Sequence, residues 1–139
     1  MKTLRILAID DHEMTMLGYK FILENIDFEG YDIIVDTANT FEGGKKLIED
    51  SVNSFKYDIL LLDVQLFAPN ENQPHSGEDL GILARKLVPE SKIAFMSSFS
   101  DNFRINSILK SVDPDGYLVK TDIDPKTLED AVKTIILNP

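Results

Sequence analysis

Asp63 closes a run of four apolar residues, Ile59, Leu60, Leu61 and Leu62, and an acidic side chain in that place is a candidate for chemistry. A short apolar run without alternation fits a strand covered on both faces, so Asp63 stands at the carboxyl end of a buried strand. Three other apolar runs end in polar residues. Residues 4–9 stop at Asp10 and Asp11, residues 92–96 stop at Ser97 and Ser98, and residues 116–119 stop at Lys120. If these ends meet, one pocket holds three carboxylates, a hydroxyl and an ammonium. Three carboxylates in one cleft repel and cannot all stay ionised without counter-charge. Lys120 supplies one positive charge, and a hard divalent cation supplies the rest. Oxygen ligands with no His or Cys nearby suit Mg²⁺, which keeps several waters and takes a further ligand from phosphate. A carboxylate so placed can be a nucleophile toward phosphorus, forming an aspartyl-phosphate. Ser97 and Lys120 would then bind two of the phosphoryl oxygens and offset the developing charge.

The elements that must position these residues alternate along the chain. Residues 4–9 read as a first strand, followed by a helical pattern with Met14, Leu17, Phe21 and Ile22 at helix spacing. The β-branched stretch 31–38 is a second strand. Thr40 is the N-cap of a helix through about Asp50 carrying Phe41, Leu47 and Ile48. After the third strand comes a polar, proline-bearing loop, 67–76, longer than usual. Ser76 caps the next helix, with Leu80, Leu83, Ala84 and Leu87 as its stripe up to Pro89. The fourth strand is 92–96, a helix over 101–112 carries Ile105, Ile108 and Leu109, and the fifth strand is 116–119. Asp124 and Pro125 open a last helix with Leu128, Ala131, Val132, Ile135 and Ile136 inward.

Five strands alternating with five helices imply right-handed βαβ crossovers and a parallel sheet with helices on both faces. The expected fold is a flavodoxin-like three-layer (βα)5 domain of strand order 2-1-3-4-5, spanning residues 1–139. In that order the second strand, which ends without charge at Ala38, Asn39 and Thr40, sits at the edge. The four equipped strand ends are then neighbours at the sheet edge where such folds bind ligands.

With 139 residues, 43% hydrophobic and 27% charged, the chain has the size and composition of one soluble globular domain. No run is long enough to span a bilayer, and no N-terminal signal pattern is present. The absence of cysteine excludes a disulfide framework and a thiolate metal site, and agrees with a cytoplasmic protein. A net charge of −10 argues against direct nucleic-acid binding by this segment.

The pattern resembles the receiver domain of two-component response regulators. That family carries an acidic pair after strand one, a phosphoacceptor Asp after strand three, a Ser or Thr after strand four and a Lys after strand five. These positions match Asp10, Asp11, Asp63, Ser97 and Lys120, and the run from Gly116 to Lys120 matches the family's Gly-Tyr-x-x-Lys arrangement. The resemblance implies that Asp63 accepts a phosphoryl group and that Lys120 and Ser97 assist. It implies that Ser97 and Tyr117 form the switch. It also implies Mg²⁺ held by Asp11 and Asp63 directly, by Asp10 largely through water, and by the Gln65 backbone carbonyl. The implied partners are a histidine kinase or phosphotransfer protein and, on phosphorylation, a second copy of the chain. No membrane partner is implied. The implied output is transcription regulation, as in regulators with a helix-turn-helix output domain.

Two positions depart from the family pattern. The usual Pro soon after the acceptor is absent, Leu66 being followed by Phe67, and Gly77 comes late. Thr121 follows Lys120 where many members have Pro. Ser98 competes with Ser97 for the hydroxyl role, while His12 and His75 read as surface residues rather than ligands or catalysts. The competing functions are an Asp-nucleophile phosphohydrolase of haloacid dehalogenase type, an FMN binder and a pseudo-receiver that docks partners without phosphorylation. The first would need a second Asp two residues after the nucleophile, where Gln65 stands. The second would need a Ser/Thr/Gly-rich phosphate loop after the first strand. The loop 67–76 begins four residues after Asp63 and is expected to be a surface insertion, a lid over the pocket or part of the kinase docking surface.

Overall fold

The computed structural model describes residues 2–64, 77–97, 110–120 and 124–137. In chain order the elements are β1 (Lys2–Ile9), α1 (Glu13–Glu24), β2 (Tyr31–Ala38), α2 (Phe41–Ser51), β3 (Ile59–Asp63), α3 (Gly77–Leu87), β4 (Lys92–Ser97), β5 (Gly116–Val119) and α4 (Pro125–Leu137). All strand pairings are parallel, in the order β2-β1-β3-β4-β5. The expected three-layer fold and strand order are therefore observed, with four helices among the described residues. Gln65, the loop 67–76, Ser98 and most of the helix expected over 101–112 lie outside the described residues, although Lys110 and Ser111 are helical.

Side-chain alternation builds two cores from one sheet. On β3, Leu60 and Leu62 face Phe41, Ile48, Leu80 and Phe95, while Ile59 and Leu61 face Leu23, Met96, Leu128 and Val132. Every residue of β3 is buried, as an unalternating apolar strand requires. Each such Leu or Ile contributes about 1.5–3 kcal/mol through the water it sheds.

The helix ends follow local chemistry. Thr40 caps α2 by accepting the Gly43 amide at 2.9 Å, and Asp124 caps α4 by accepting that of Thr127 at 2.7 Å. The free edge of β2 is covered by an ion pair on α1. Lys20 Nζ donates to the Val35 carbonyl at 2.7 Å, and the Val35 amide donates to Glu24 Oε2 at 3.1 Å. Both backbone groups that Val35 turns away from the sheet are thereby satisfied.

On α1 the structure turns three of the four expected stripe residues outward, Ile22 alone of them packing against the core. Met14 and Phe21 are 82% and 72% exposed and Leu17 is exposed too, whereas Met16, Tyr19 and Leu23 are buried. The helix is apolar on two sides, and both sets keep helical spacing. Packing area favours the side that carries the Tyr19 ring.

Candidate functional site

Strand register brings the polar ends together. Ile9 pairs with Leu62, Asp63 with Met96 and Met96 with Leu118. Asp10 and Asp63 therefore leave the sheet side by side. Ser97, last in β4, pairs with Val119, and Lys120 follows one residue later. β2 ends at the outer edge with Ala38, whose carbonyl accepts the Asp10 amide at 3.1 Å.

Lys120 Nζ lies 2.7 Å from Asp10 Oδ2 and 3.0 Å from Asp63 Oδ2. Asp10 and Asp63 are buried and Asp11 half-buried. Burial alone would lower the Lys120 pKa, but its hydrogen bonds to Asp10 and Asp63 outweigh that and hold it above the ordinary value. The lysine is thus a fixed cation clamped between two carboxylates. Ser97 is buried at the end of β4, and Tyr117 is half-buried against the core on the α2–α3 side of the sheet.

Three residues beside the site were not assigned to it from the sequence. The first is His12. Asp10 Oδ1 accepts the His12 amide at 2.9 Å, an Asx-type turn that steers the chain from β1 into α1. The same turn brings His12 Nδ1 to 3.1 Å from both Asp10 Oδ1 and Asp11 Oδ1. The expectation of no His nearby is thereby corrected, although the ring is 66% exposed and so belongs to the surface. The second is Tyr19, buried on α1, whose phenol is pushed up first by burial and then by the charges of Asp10 and Asp63. The third is Gly77, which packs against the Asp63 backbone. Only adjacency to Asp11 could have flagged His12; Tyr19 and Gly77 are remote in sequence.

Solved structures match this arrangement over nearly the whole chain. A receiver domain protein from Methanospirillum hungatei is 26% identical, with a TM-score of 0.73 over 95% of this chain and 92% of that one. The signal receiver domain of the response regulator NarL from Mycobacterium tuberculosis superposes with a TM-score of 0.78 over all of both chains, at 17% identity. The fold is that of a response regulator receiver domain. A response regulator from Burkholderia pseudomallei, with a phosphorylated aspartic acid, a calcium ion and citrate, shares this receiver fold at 21% identity and a TM-score of 0.69. That match covers 98% of this chain and 75% of the other. No family model and no curated protein matches the sequence.

At the receiver edge of the sheet, one ligand atom from each of Asp10, Asp11, His12 and Asp63 lies within 4.8 Å of the others. Three carboxylate oxygens at that spacing fit a divalent cation with bonds of about 2.0–2.6 Å. Among the described residues, no helix is long and apolar enough to cross a membrane.

Proposed function

We propose that residues 1–139 form a single receiver domain that accepts a phosphoryl group on Asp63 and switches conformation to control an output. The observation that carries this reading is Lys120 Nζ bridging Asp63 and Asp10 at the carboxyl edge of the sheet. Lys120 beside Asp63 favours a carboxylate there, and a carboxylate is the nucleophile toward phosphorus. That oxygen forms the new O–P bond as the P–N bond of a donor phosphohistidine breaks. The histidine nitrogen keeps that bond's electron pair and takes up a proton from solvent. Lys120 then binds a phosphoryl oxygen, and the Ser97 hydroxyl donates to another.

Asp11 and Asp63, with Asp10 largely through water, would hold Mg²⁺ at this edge of the sheet. When bound, such a cation would neutralise the acidic cluster and the charge on the transferring group. Movement of Ser97 toward the new anion leaves space that the Tyr117 ring enters, and this two-state element carries the signal outward. The donor is a histidine kinase or phosphotransfer protein, phosphorylation favours a homodimer, and the output is transcription through a helix-turn-helix domain. The protein acts in the cytoplasm as a switch with slow self-dephosphorylation, not as a turnover enzyme.

Incubation with Mg²⁺ and acetyl phosphate tests the reading. One phosphoryl group should appear in the intact mass, and Asp63→Asn or chelation of the cation should abolish it. Labelling that survives Asp63→Asn would overturn the assignment.

A further inference from the structure

Two nitrogen-bearing side chains, Lys120 and His12, contact the carboxylates among the described residues of this site. Lys120 covers Asp10 Oδ2 and Asp63 Oδ2, whereas Asp10 Oδ1 and Asp11 Oδ1 are bridged by His12 Nδ1, 3.1 Å from each. That nitrogen is within hydrogen-bond reach of both carboxylates, so a cation bound to them would also lie within its reach. His12 offers a ligand atom within 4.8 Å of one from each of Asp10, Asp11 and Asp63, so all four can reach a common ion with small movements. His12 is also free to adjust. It is the N-cap residue of α1, yet its side chain makes no capping hydrogen bond, and the ring is largely exposed.

Donor chemistry then bears on cation choice. Mg²⁺ is usually held by one or two carboxylates and several waters, and has little use for nitrogen. Three carboxylates and an imidazole instead match the four-donor N/O sets that borderline first-row ions prefer, with Zn–N bonds of about 2.0–2.1 Å. The neutral imidazole would present the Nδ1 lone pair inward and keep its proton on Nε2.

We propose that His12 is a nitrogen ligand of the cation site formed by Asp10, Asp11 and Asp63, and that it biases this receiver toward zinc-like divalent ions. The inference rests on the cation-site reading above. First-row ions commonly outrank Mg²⁺ at any such site, so tighter Zn²⁺ binding alone decides nothing. The dependence on His12 decides.

Calorimetric titration of the intact chain and of His12→Ala with Zn²⁺ and with Mg²⁺ measures that dependence. The substitution should weaken Zn²⁺ binding by about tenfold or more while changing Mg²⁺ binding less than about twofold. The imidazole ¹⁵N signals of the unaltered protein provide a second readout. The chain has two histidines, and with Zn²⁺ the Nδ1 signal of His12 should move. Equal Zn²⁺ affinity in the two proteins, or a His12 signal indifferent to Zn²⁺, overturns the proposal while leaving the carboxylate site standing. Failure of the unaltered protein to bind either ion overturns the carboxylate site as well.

Discussion

Gly77, the first residue of α3, lies against the backbone of Asp63. A Cβ at Gly77 would fall 1.9 Å from the Asp63 carbonyl oxygen, and the Gly77 amide donates to the Val64 carbonyl at 2.8 Å. The chain that leaves β3 and the chain that enters α3 therefore touch. Val64 and Gly77 are held together, and the glycine that comes late in the sequence arrives beside Asp63 in space.

Gly77→Ala should therefore damage both stability and the site. Backbone cannot yield as a flexible side chain can, and the overpacking should cost about 1–3 kcal/mol or more in urea unfolding. Acetyl phosphate labelling of Asp63 should fall with it. Gly18 provides the contrast, since a Cβ there meets nothing within 4 Å. Gly18→Ala, within α1, should raise stability by about 0.5–1 kcal/mol. Equal effects at the two positions would refute the close-approach argument.

Lys120→Met should expose the repulsion that the lysine now offsets. Asp10 would be left fully buried with its Oδ2 partner gone, a loss of about 3 kcal/mol at neutral pH. Adding Asp10→Asn to the same protein should recover part of that loss, because the stranded charge is removed. A double variant no more stable than Lys120→Met would show that the charge was not the cause.

Stability should fall on the alkaline side. Lys120 is held above its ordinary pKa, the hydrogen bonds to Asp10 and Asp63 outweighing burial. Tyr19 is pushed up by burial and then by Asp10, and Tyr57 by burial and then by its hydrogen bond to Asp36. Each group keeps its proton to higher pH when folded than when unfolded. The folded state thus binds more protons above the ordinary values near 10, and stability declines there. The contribution is complete below about pH 10 and is lost as pH climbs through the raised values. Urea midpoints should be steady between about pH 8 and 9 and drop by about pH 11. A flat profile across that range would contradict the assignment.

Arg85→Met should loosen the junction between α3, β4 and β5. The guanidinium donates to the Val112, Ser91 and Asp113 carbonyls at 3.0, 3.2 and 2.7 Å and to Asp115 Oδ2 at 3.1 Å. Asp115 in turn accepts the Ile93 amide at 2.9 Å. Stranding these acceptors should cost about 2–3 kcal/mol in urea unfolding and speed hydrogen exchange at Ile93. An unchanged midpoint would mean that water replaces the guanidinium at little cost.

The sequence by itself determined the alternation of strands and helices and the polar residue at each strand end. Both are local properties. The run 59–62 fits a strand covered on both faces, and Thr40 and Asp124 satisfy amides three residues ahead. The parallel order followed, because alternation leaves few ways to bury both faces of a sheet. Asp10, Asp11, Asp63, Ser97 and Lys120 were legible for the same reason, each being next to its own strand.

Tertiary structure alone decided what depends on neighbours distant in the chain. Met14, Leu17 and Phe21 repeat as regularly as Met16, Tyr19 and Leu23, and a period cannot say which side of a helix meets the sheet. Gly77 comes fourteen positions after Asp63 in the sequence, and only the return of the chain gives it contact with the Asp63 backbone. The ring of His12 is placed by the turn that Asp10 makes, and its meaning comes from carboxylates on two different strand ends. Spacing along a chain fixes which residues can be close; the packing of the sheet decides which of them share one ion or one charge.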